Sequence, residues 1–376
     1  MKVRRIYQDL KKFIQPNKAL LIFGPRQVGK TTLMEDFISE TNDKTKVVTG
    51  DDITIHNVLS SQSLKEIKSF CEGYELIAID EAQKIPNIGI ALKLMVDQIP
   101  GIKIIATGSS SFELAGQTGE PLTGRKTTLM LFPIAQMEML FHLNEFELKE
   151  KLEDFLIYGS YPTIITSKEK EVKIRLLNEL VGSYLFKDIL DFERIKNPQV
   201  LIDLLRLLAF QIGSEVSINE LSQNLKVDNK TVKRYIELLE KAFIIYVLHG
   251  YSSNLRKEIS KKSKYYFYDT GIRNAVIANF NPLVQRNDTG QLWENFLVIE
   301  RIKKQKYTSI FANNYFWRSW TKKEVDWVEE REGKLYGFEF KWSLKKLKPP
   351  KLWLDTYPEA SWKIIDKDNY LDFVAY

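Results

Sequence analysis

Along the first 110 residues, short runs of consecutive apolar residues alternate with segments whose apolar positions recur at helical spacing. ALLIF at 19–23, the centre of ELIAIDEAQ at 75–83 and that of IKIIATGSSS at 102–111 are each about one strand long. A run that is apolar on both faces predicts a parallel strand covered by helices above and below. The first run leads directly into GPRQVGKTT and then the helical pattern LMEDFISE. Strand, glycine-bearing turn and helix in that order predict an α/β fold with a parallel sheet.

Helical spacing dominates residues 140–210, most clearly in EFELKEKLEDFLIYG and EVKIRLLNELVGSYLFKDIL, with GSYP as the turn between them. These residues predict a helical lid beside the first sheet. SINELSQNL follows, with Ser217 and Glu220 at capping-box spacing, then the polar turn KVDN and KTVKRYIELLEKAFIIYVL. Two short helices joined by a tight polar turn and followed by strand-like residues predict a helix-turn-helix with a wing. The expected divisions are a core at 1–140, a lid at 141–205, a winged-helix domain at 206–282 and a last domain at 283–376.

KEVDWVEEREGKLYGFEFKWS, residues 323–343, reads as a β-hairpin turning at Glu332-Gly333. Pairing Arg331 with Lys334 then sets Asp326 opposite Glu339 and Glu324 opposite Lys341. Val325, Trp327, Phe338 and Phe340 fall on the other face, toward a core. Facing side chains have Cβ atoms about 4.5–5.5 Å apart, so two ionised carboxylates there repel. A divalent cation reverses the sign of that interaction. Upstream, RNDTGQLWENFLVIERIKK predicts a helix with Glu294 near its start, and YFWRSW a preceding strand.

Composition changes this picture only at its edges. The 376 residues are 44% hydrophobic, enough for more than one core. Lys plus Arg number 55 against 49 acids, a net charge of +6 that permits a nucleic-acid partner without requiring one. The lone cysteine, Cys71, rules out an internal disulfide framework and fits a reducing compartment. No apolar run approaches the about 18 residues of a membrane span, and MKVRRIYQDLKKFI lacks the apolar core of a signal peptide. A cytoplasmic protein with no membrane partner is expected, and a transport role is excluded.

The chemistry concentrates in three places. Gly24, Gly29, Lys30 and Thr31 have the spacing G-x-x-x-x-G-K-[ST], in which the backbone curls around phosphate oxygens at a helix N-terminus. Lys30 would reach the β- and γ-phosphates, the Thr31 hydroxyl would ligate Mg²⁺, Asp80 would hold the ion through its water shell, and Glu81 would orient or deprotonate the attacking water. Thr107, Ser109 and Ser110 either sense the γ-phosphate or form an ordinary polar strand end. Arg125 in LTGR is either an arginine finger serving a second copy of the chain or a surface arginine. Lys230, Lys233 and Arg234, together with Arg256, Lys257, Lys261, Lys262 and Lys264 against the single acid Glu258, either meet DNA phosphates or form a hydrated basic face. At the hairpin, Asp326 and Glu339 would hold a metal ion, Lys341 would stabilise an attacking hydroxide or developing phosphate charge, and Glu294 would assist.

The order GPRQVGKTT, IAIDEAQ, ATGSSSFEL, LTGR, GSYP, YLFKDI, a winged-helix segment ending YFYDTGIRN, then ENF and EVDW…FEFKWS resembles a group of prokaryotic ATPases related to the AAA-plus and archaeal STAND-type NTPases. These carry a C-terminal domain similar to restriction endonucleases of the PD-(D/E)xK type. The resemblance spans nearly the whole chain. It implies ATP binding along Gly24, Pro25, Arg26, Gln27, Val28, Gly29, Lys30, Thr31 and Thr32, with Asp80 and Glu81 as the acidic pair. It also implies a nuclease-like site at Glu294, Asp326, Glu339 and Lys341 in an α/β restriction-endonuclease-like domain. The expected function is Mg-ATP hydrolysis coupled to a DNA-binding half that cuts DNA. The competing expectation is a nucleotide-driven switch or scaffold whose endonuclease-like domain only binds.

Overall fold

The computed structural model describes residues 3–109, 122–182, 195, 197–251, 262–319, 321–343 and 348–376. Ser110, Arg256, Lys257, Glu258, Lys261 and the YLFKDI stretch lie outside them. The chain divides into two compact units, one of residues 4–133 with 241–243, the other holding residues 1–3, 134–240 and 244–376.

The first unit is a five-stranded sheet in the order β2-β3-β4-β1-β5. Its strands are β1 (Lys18–Phe23), β2 (Thr45–Thr49), β3 (Leu76–Asp80), β4 (Lys103–Gly108) and β5 (Lys126–Met130), and every pairing is parallel. The apolar runs become strands because they are covered on both faces: Ala19, Leu21, Ile77 and Ile79 are fully buried on one face, and Ile22, Ala78 and Ile105 on the other. Helices α1 (Lys30–Glu40), α2 (Ile53–Leu59), α3 (Leu64–Cys71) and α4 (Ile88–Gln98) accompany the sheet. Leu92 and Met95 of α4 join the strand side chains in one core, as do Ile67 and Cys71 of α3. Burial pushes the Cys71 thiol up to about 11.

The second unit begins with helical residues that include α5 (Leu152–Tyr158), α6 (Lys170–Glu179) and α7 (Pro198–Phe210). A short strand, β6 (Glu215–Val216), precedes α8 (Ile218–Leu225) and α9 (Asn229–Lys241). The polar turn between α8 and α9 works through Asp228, which accepts the Lys230 and Thr231 N–H groups at 2.8 and 2.9 Å. Ser217 occupies the N-cap of α8, but its side chain makes no capping bond among the described residues, so the spacing did not produce the capping box.

Then follow β7 (Ile245–Gly250), β8 (Ser263–Phe267), α10 (Thr270–Val276), α11 (Thr289–Tyr307), β9 (Asn313–Arg318), β10 (Glu324–Arg331), β11 (Lys334–Phe340) and β12 (Ser361–Ile365). The strands make one mixed sheet in the order β12-β11-β10-β9-β7-β8-β6. Strands from the stretch read as a winged helix thus share a sheet with the hairpin, through the parallel pairing of β7 with β9.

Helix α11 is buried along most of its length, and its polar residues decide where it sits. Asn295 accepts the Phe267 N–H at 2.7 Å and donates to the Phe267 carbonyl at 2.8 Å, closing both backbone bonds of one residue of β8. Arg301 makes a two-pronged bond to the fully buried Glu329 of β10, at 2.6 and 3.0 Å. Removing Glu329 would leave the buried Arg301 guanidinium without its carboxylate, a loss of about 3–5 kcal/mol.

Candidate functional site

The glycine loop closes at the exit of β1. Gly24 sits at φ 148°, and a Cβ there would lie 1.9 Å from the Leu131 carbonyl oxygen, so only glycine fits. Lys30 is the first residue of α1 and is 5% exposed. Its ammonium donates to the Gly24 and Pro25 carbonyls at 2.9 and 2.7 Å. Burial lowers its pKa to about 8, against the opposing pull of Glu81 and Asp80. Thr31 Oγ1 lies 3.0 and 3.1 Å from the two Asp80 oxygens. Thr107 donates to Asp80 Oδ1 and accepts the Glu81 N–H at 3.2 Å, so one hydroxyl ties the acidic pair together.

Around this centre, Val28 is buried, Gln27 is exposed with φ 58°, and Arg26 and Thr32 flank the loop and the helix start. Ser109 is buried at the end of β4. Arg125 pairs with Asp97 and donates to the Thr123 carbonyl at 3.3 Å, so its guanidinium is already engaged within its own chain. Two supporting residues escape a motif search. Arg5 is 6% exposed and donates to the Val28 carbonyl at 2.9 Å and the Phe132 carbonyl at 2.6 Å, bracing the loop from a distant segment. Gln83 donates to Glu81 Oε2.

The hairpin has the register read from the sequence, running from Trp327–Phe338 to Arg331–Lys334. Glu332 and Gly333 take φ 51° and 74°, the left-handed pair that a two-residue turn of type I′ needs. Two expectations fail near its open end. Glu324 does not pair with Lys341; it bonds to Lys264 and approaches Arg318 at 3.8 Å. Val325 and Trp327 do not share a core either. Val325 packs with Val328, Trp317 and Trp353, whereas Trp327 Nε1 donates to Glu329 at 2.9 Å. The cause is a shift of register against β9 between Val325 and Val328, which breaks the two-residue alternation.

Asp326 is 8% exposed and accepts the Phe340 N–H at 2.8 Å. Lys341 lies 2.7 Å from Glu339 Oε1 and 4.0 Å from Asp326 Oδ2. Glu339 Oε2 is buried with no hydrogen-bond partner among the described residues. Burial, then the charge of Glu294, pushes Asp326 up to about 7. Burial, then Asp326, does the same to Glu339. Lys341 is held above its usual value, burial being outweighed by Asp326 and Glu339.

Lys264 is the residue that sequence reading misplaced. Counted among the exposed cations of a wing, it is 2% exposed, with its ammonium 3.0 Å from Glu294 Oε1 and bonded to Glu324. Tyr266, two residues along β8, donates to the same Glu294 oxygen at 2.6 Å. Burial pulls the Lys264 pKa down, but Glu294, Asp326 and Glu324 together hold it above its usual value. Asn295 explains the placement: by docking on Phe267 it brings Glu294 against β8. Among the described residues no three Asp, Glu, His or Cys side chains group as a metal site; the acids are interleaved with ammonium groups. Lys230, Lys233, Arg234 and Lys262 are exposed.

Residues 16–140 match the family described as an AAA domain. Residues 149–283 match a domain of unknown function (DUF8612), and residues 289–360 another (DUF4143). The chain carries a P-loop ATPase-like AAA domain and a C-terminal DUF4143 domain. An uncharacterized protein of Mycobacterium tuberculosis is 26% identical over 339 residues, covering 88% of this chain and 72% of its own. Uncharacterized proteins of Methanocaldococcus jannaschii and Haemophilus influenzae are 24% and 23% identical, covering 89% and 79% of this chain and 77% of their own lengths. The match to the AAA domain suggests ATPase-like activity. Among the described residues no helix is long and apolar enough to cross a membrane.

Proposed function

We propose that the chain is a Mg-ATP-dependent ATPase whose hydrolysis cycle controls a nucleic-acid-facing C-terminal half with a metal-dependent phosphodiesterase centre. The observation that carries the first part is the convergence of Lys30, Thr31, Asp80 and Glu81 on one glycine loop. Thr31 and Asp80 offer only oxygen donors, 3.0–3.1 Å apart, which suits a hard cation such as Mg²⁺. Lys30 exchanges loop carbonyls for phosphate oxygens, and the N-terminus of α1 adds favourable potential for anions. Bound Mg-ATP supplies the phosphoryl group and the counter-charge that these residues are arranged to balance. Glu81 orients or deprotonates water, Thr107 and Ser109 stand at the strand end nearest the acidic pair, and Arg125 acts in trans once it leaves Asp97.

The second part is supported by the buried, unpartnered Glu339 Oε2 beside Asp326. Two carboxylates that both resist ionisation at neutral pH fit a divalent cation, and Asp326 and Glu339 are the residues that would hold it. The cation would supply Lewis acidity toward a phosphodiester. Lys341 keeps its proton and stands ready for phosphate charge; Glu294 becomes a ligand only if Lys264 releases it. Arg318, Lys322 and Lys262, which line a cavity of about 790 Å³ with Lys264 and Glu324, and the exposed Lys230, Lys233 and Arg234 are the cations for a DNA backbone.

A nucleotide-driven switch or scaffold with an inert C-terminal domain is favoured by one observation, the Lys264 ammonium already balancing Glu294 and Glu324. Incubating the protein with plasmid DNA and Mg²⁺ or Mn²⁺, with and without ATP, beside Asp326→Ala and Lys30→Ala, separates the readings. Cutting that is lost in Asp326→Ala supports the phosphodiesterase. ATP turnover without cutting under any condition supports the switch, and absence of ATP binding by calorimetry removes both.

A further inference from the structure

We propose that Gln83 is a positioning residue for Glu81, its side-chain amide holding the Glu81 carboxylate in the orientation from which that carboxylate serves ATP hydrolysis. The inference rests on the ATPase reading above and deepens it.

The backbone at Glu81 is fixed from every side. Its φ of 48° and ψ of 40° lie in the left-handed region, which costs a residue with a side chain and persists where surroundings impose it. Its N–H donates to Thr107 Oγ1 at 3.2 Å and its carbonyl accepts the Lys84 N–H at 3.0 Å. Gly50 is packed so closely on that carbonyl that a Cβ there would lie 2.2 Å from the oxygen. The origin of the side chain is therefore set, and the direction of the carboxylate is what remains to be chosen. The carboxylate lies near enough to the buried Lys30 ammonium for its charge, like that of Asp80, to favour the protonated lysine.

Gln83 makes the choice. It is 8% exposed, and its Nε2 donates to Glu81 Oε2. The opposite amide orientation would set a carbonyl oxygen against a carboxylate, so the chemistry fixes which end faces Glu81. The other end, Oε1, is buried with no hydrogen-bond partner among the described residues. A buried acceptor left open is costly, so the placement of this amide needs a compensating contact. The amide commits its donor to Glu81 and leaves the acceptor open beside it. Among the described residues that compensating contact is the bond to Glu81.

Two variants test this. Gln83→Leu keeps bulk and removes the donor; Gln83→Glu keeps shape and replaces the donor with a second carboxylate. Both should lower steady-state ATP turnover about 10- to 100-fold while the calorimetric Kd for ATP changes less than about threefold, the signature of a lost transition-state interaction. In a Glu81→Gln background, followed by single-turnover hydrolysis, adding Gln83→Leu should cost less than about twofold more, since a residue acting through Glu81 has nothing left to act on. Turnover within about twofold of wild type in both variants overturns the inference alone. So does an undiminished loss in the Glu81→Gln background, or loss of ATP binding by both variants, which marks a structural role. Wild-type protein that binds ATP without hydrolysing it removes the ATPase reading and this inference together.

Discussion

The chain holds two carboxylate pairs, and they are built in opposite ways. Asp80 and Glu81 are neighbours in sequence at the end of β3, and among the described residues the side-chain hydrogen bonds to their carboxylates come from neutral groups: the hydroxyls of Thr31 and Thr107 and the amide of Gln83. Asp326 and Glu339 are thirteen residues apart across a hairpin, and their surroundings are charged: Lys341 beside both, and Lys264 among Glu294, Glu324 and Asp326. A site furnished with neutral donors can accept a cation by rearranging hydrogen bonds. A site furnished with its own ammonium groups must compete with them. The first pair is held by hydrogen bonds from neutral groups, whereas a cation approaching the second pair would meet lysines already in place.

The sharpest way to break this contrast is at Lys264. Lys264→Met leaves Glu294 and Glu324 without their buried partner and should destabilise the protein by about 3–5 kcal/mol in urea unfolding. An effect below about 1 kcal/mol would mean that Glu294 and Glu324 do not depend on Lys264 for their charge balance. At the first pair, Lys30→Ala should lower ATP turnover about 10²–10³-fold, the usual loss for one charge-stabilising donor, as read by phosphate release. Its unfolding midpoint should change far less than that of Lys264→Met.

Acidity gives the next test. Asp326 and Glu339 lie at about 7 in the fold, against 3.8 and 4.5 for the free side chains. Between those limits the folded protein binds more protons than the unfolded chain, so their contribution lowers stability as pH rises from about 4.5 to 7 and levels off above. Urea midpoints at pH 5, 6, 7 and 8 should show that slope, and Asp326→Asn should flatten it. The smallest effect is expected at Arg125, whose pair with Asp97 is partly exposed. Arg125→Ala should cost less than about 1 kcal/mol, and mixing it into wild type should lower ATP turnover only if the finger acts across copies.

Much of the first unit was legible because its signals are local. A strand, a glycine turn and a helix in sequence fix where Lys30 and Thr31 must lie, and a covered strand needs nothing but apolar residues. The hairpin register was equally local, set by the Glu332-Gly333 turn. What stayed hidden depends on partners far along the chain. Lys264 looks like one more lysine in a basic run until β8 is buried and Asn295 docks α11 on it. Regular alternation sets Glu324 opposite Lys341 and cannot foresee the register shift against β9. Arg5 and Gln83 belong to no motif; only the carbonyl of Val28 and the carboxylate of Glu81 reveal their use.

Cys71 ends α3 inside the core of the first unit, 2% exposed and the sole thiol of the chain. A maleimide or disulfide reagent can reach it only when that core opens. Labelling speed is therefore a clock for transient opening of the nucleotide-binding half, and it needs no introduced probe. Ligands that tighten this half would slow the clock, whereas events confined to the hairpin would leave it running at its original pace.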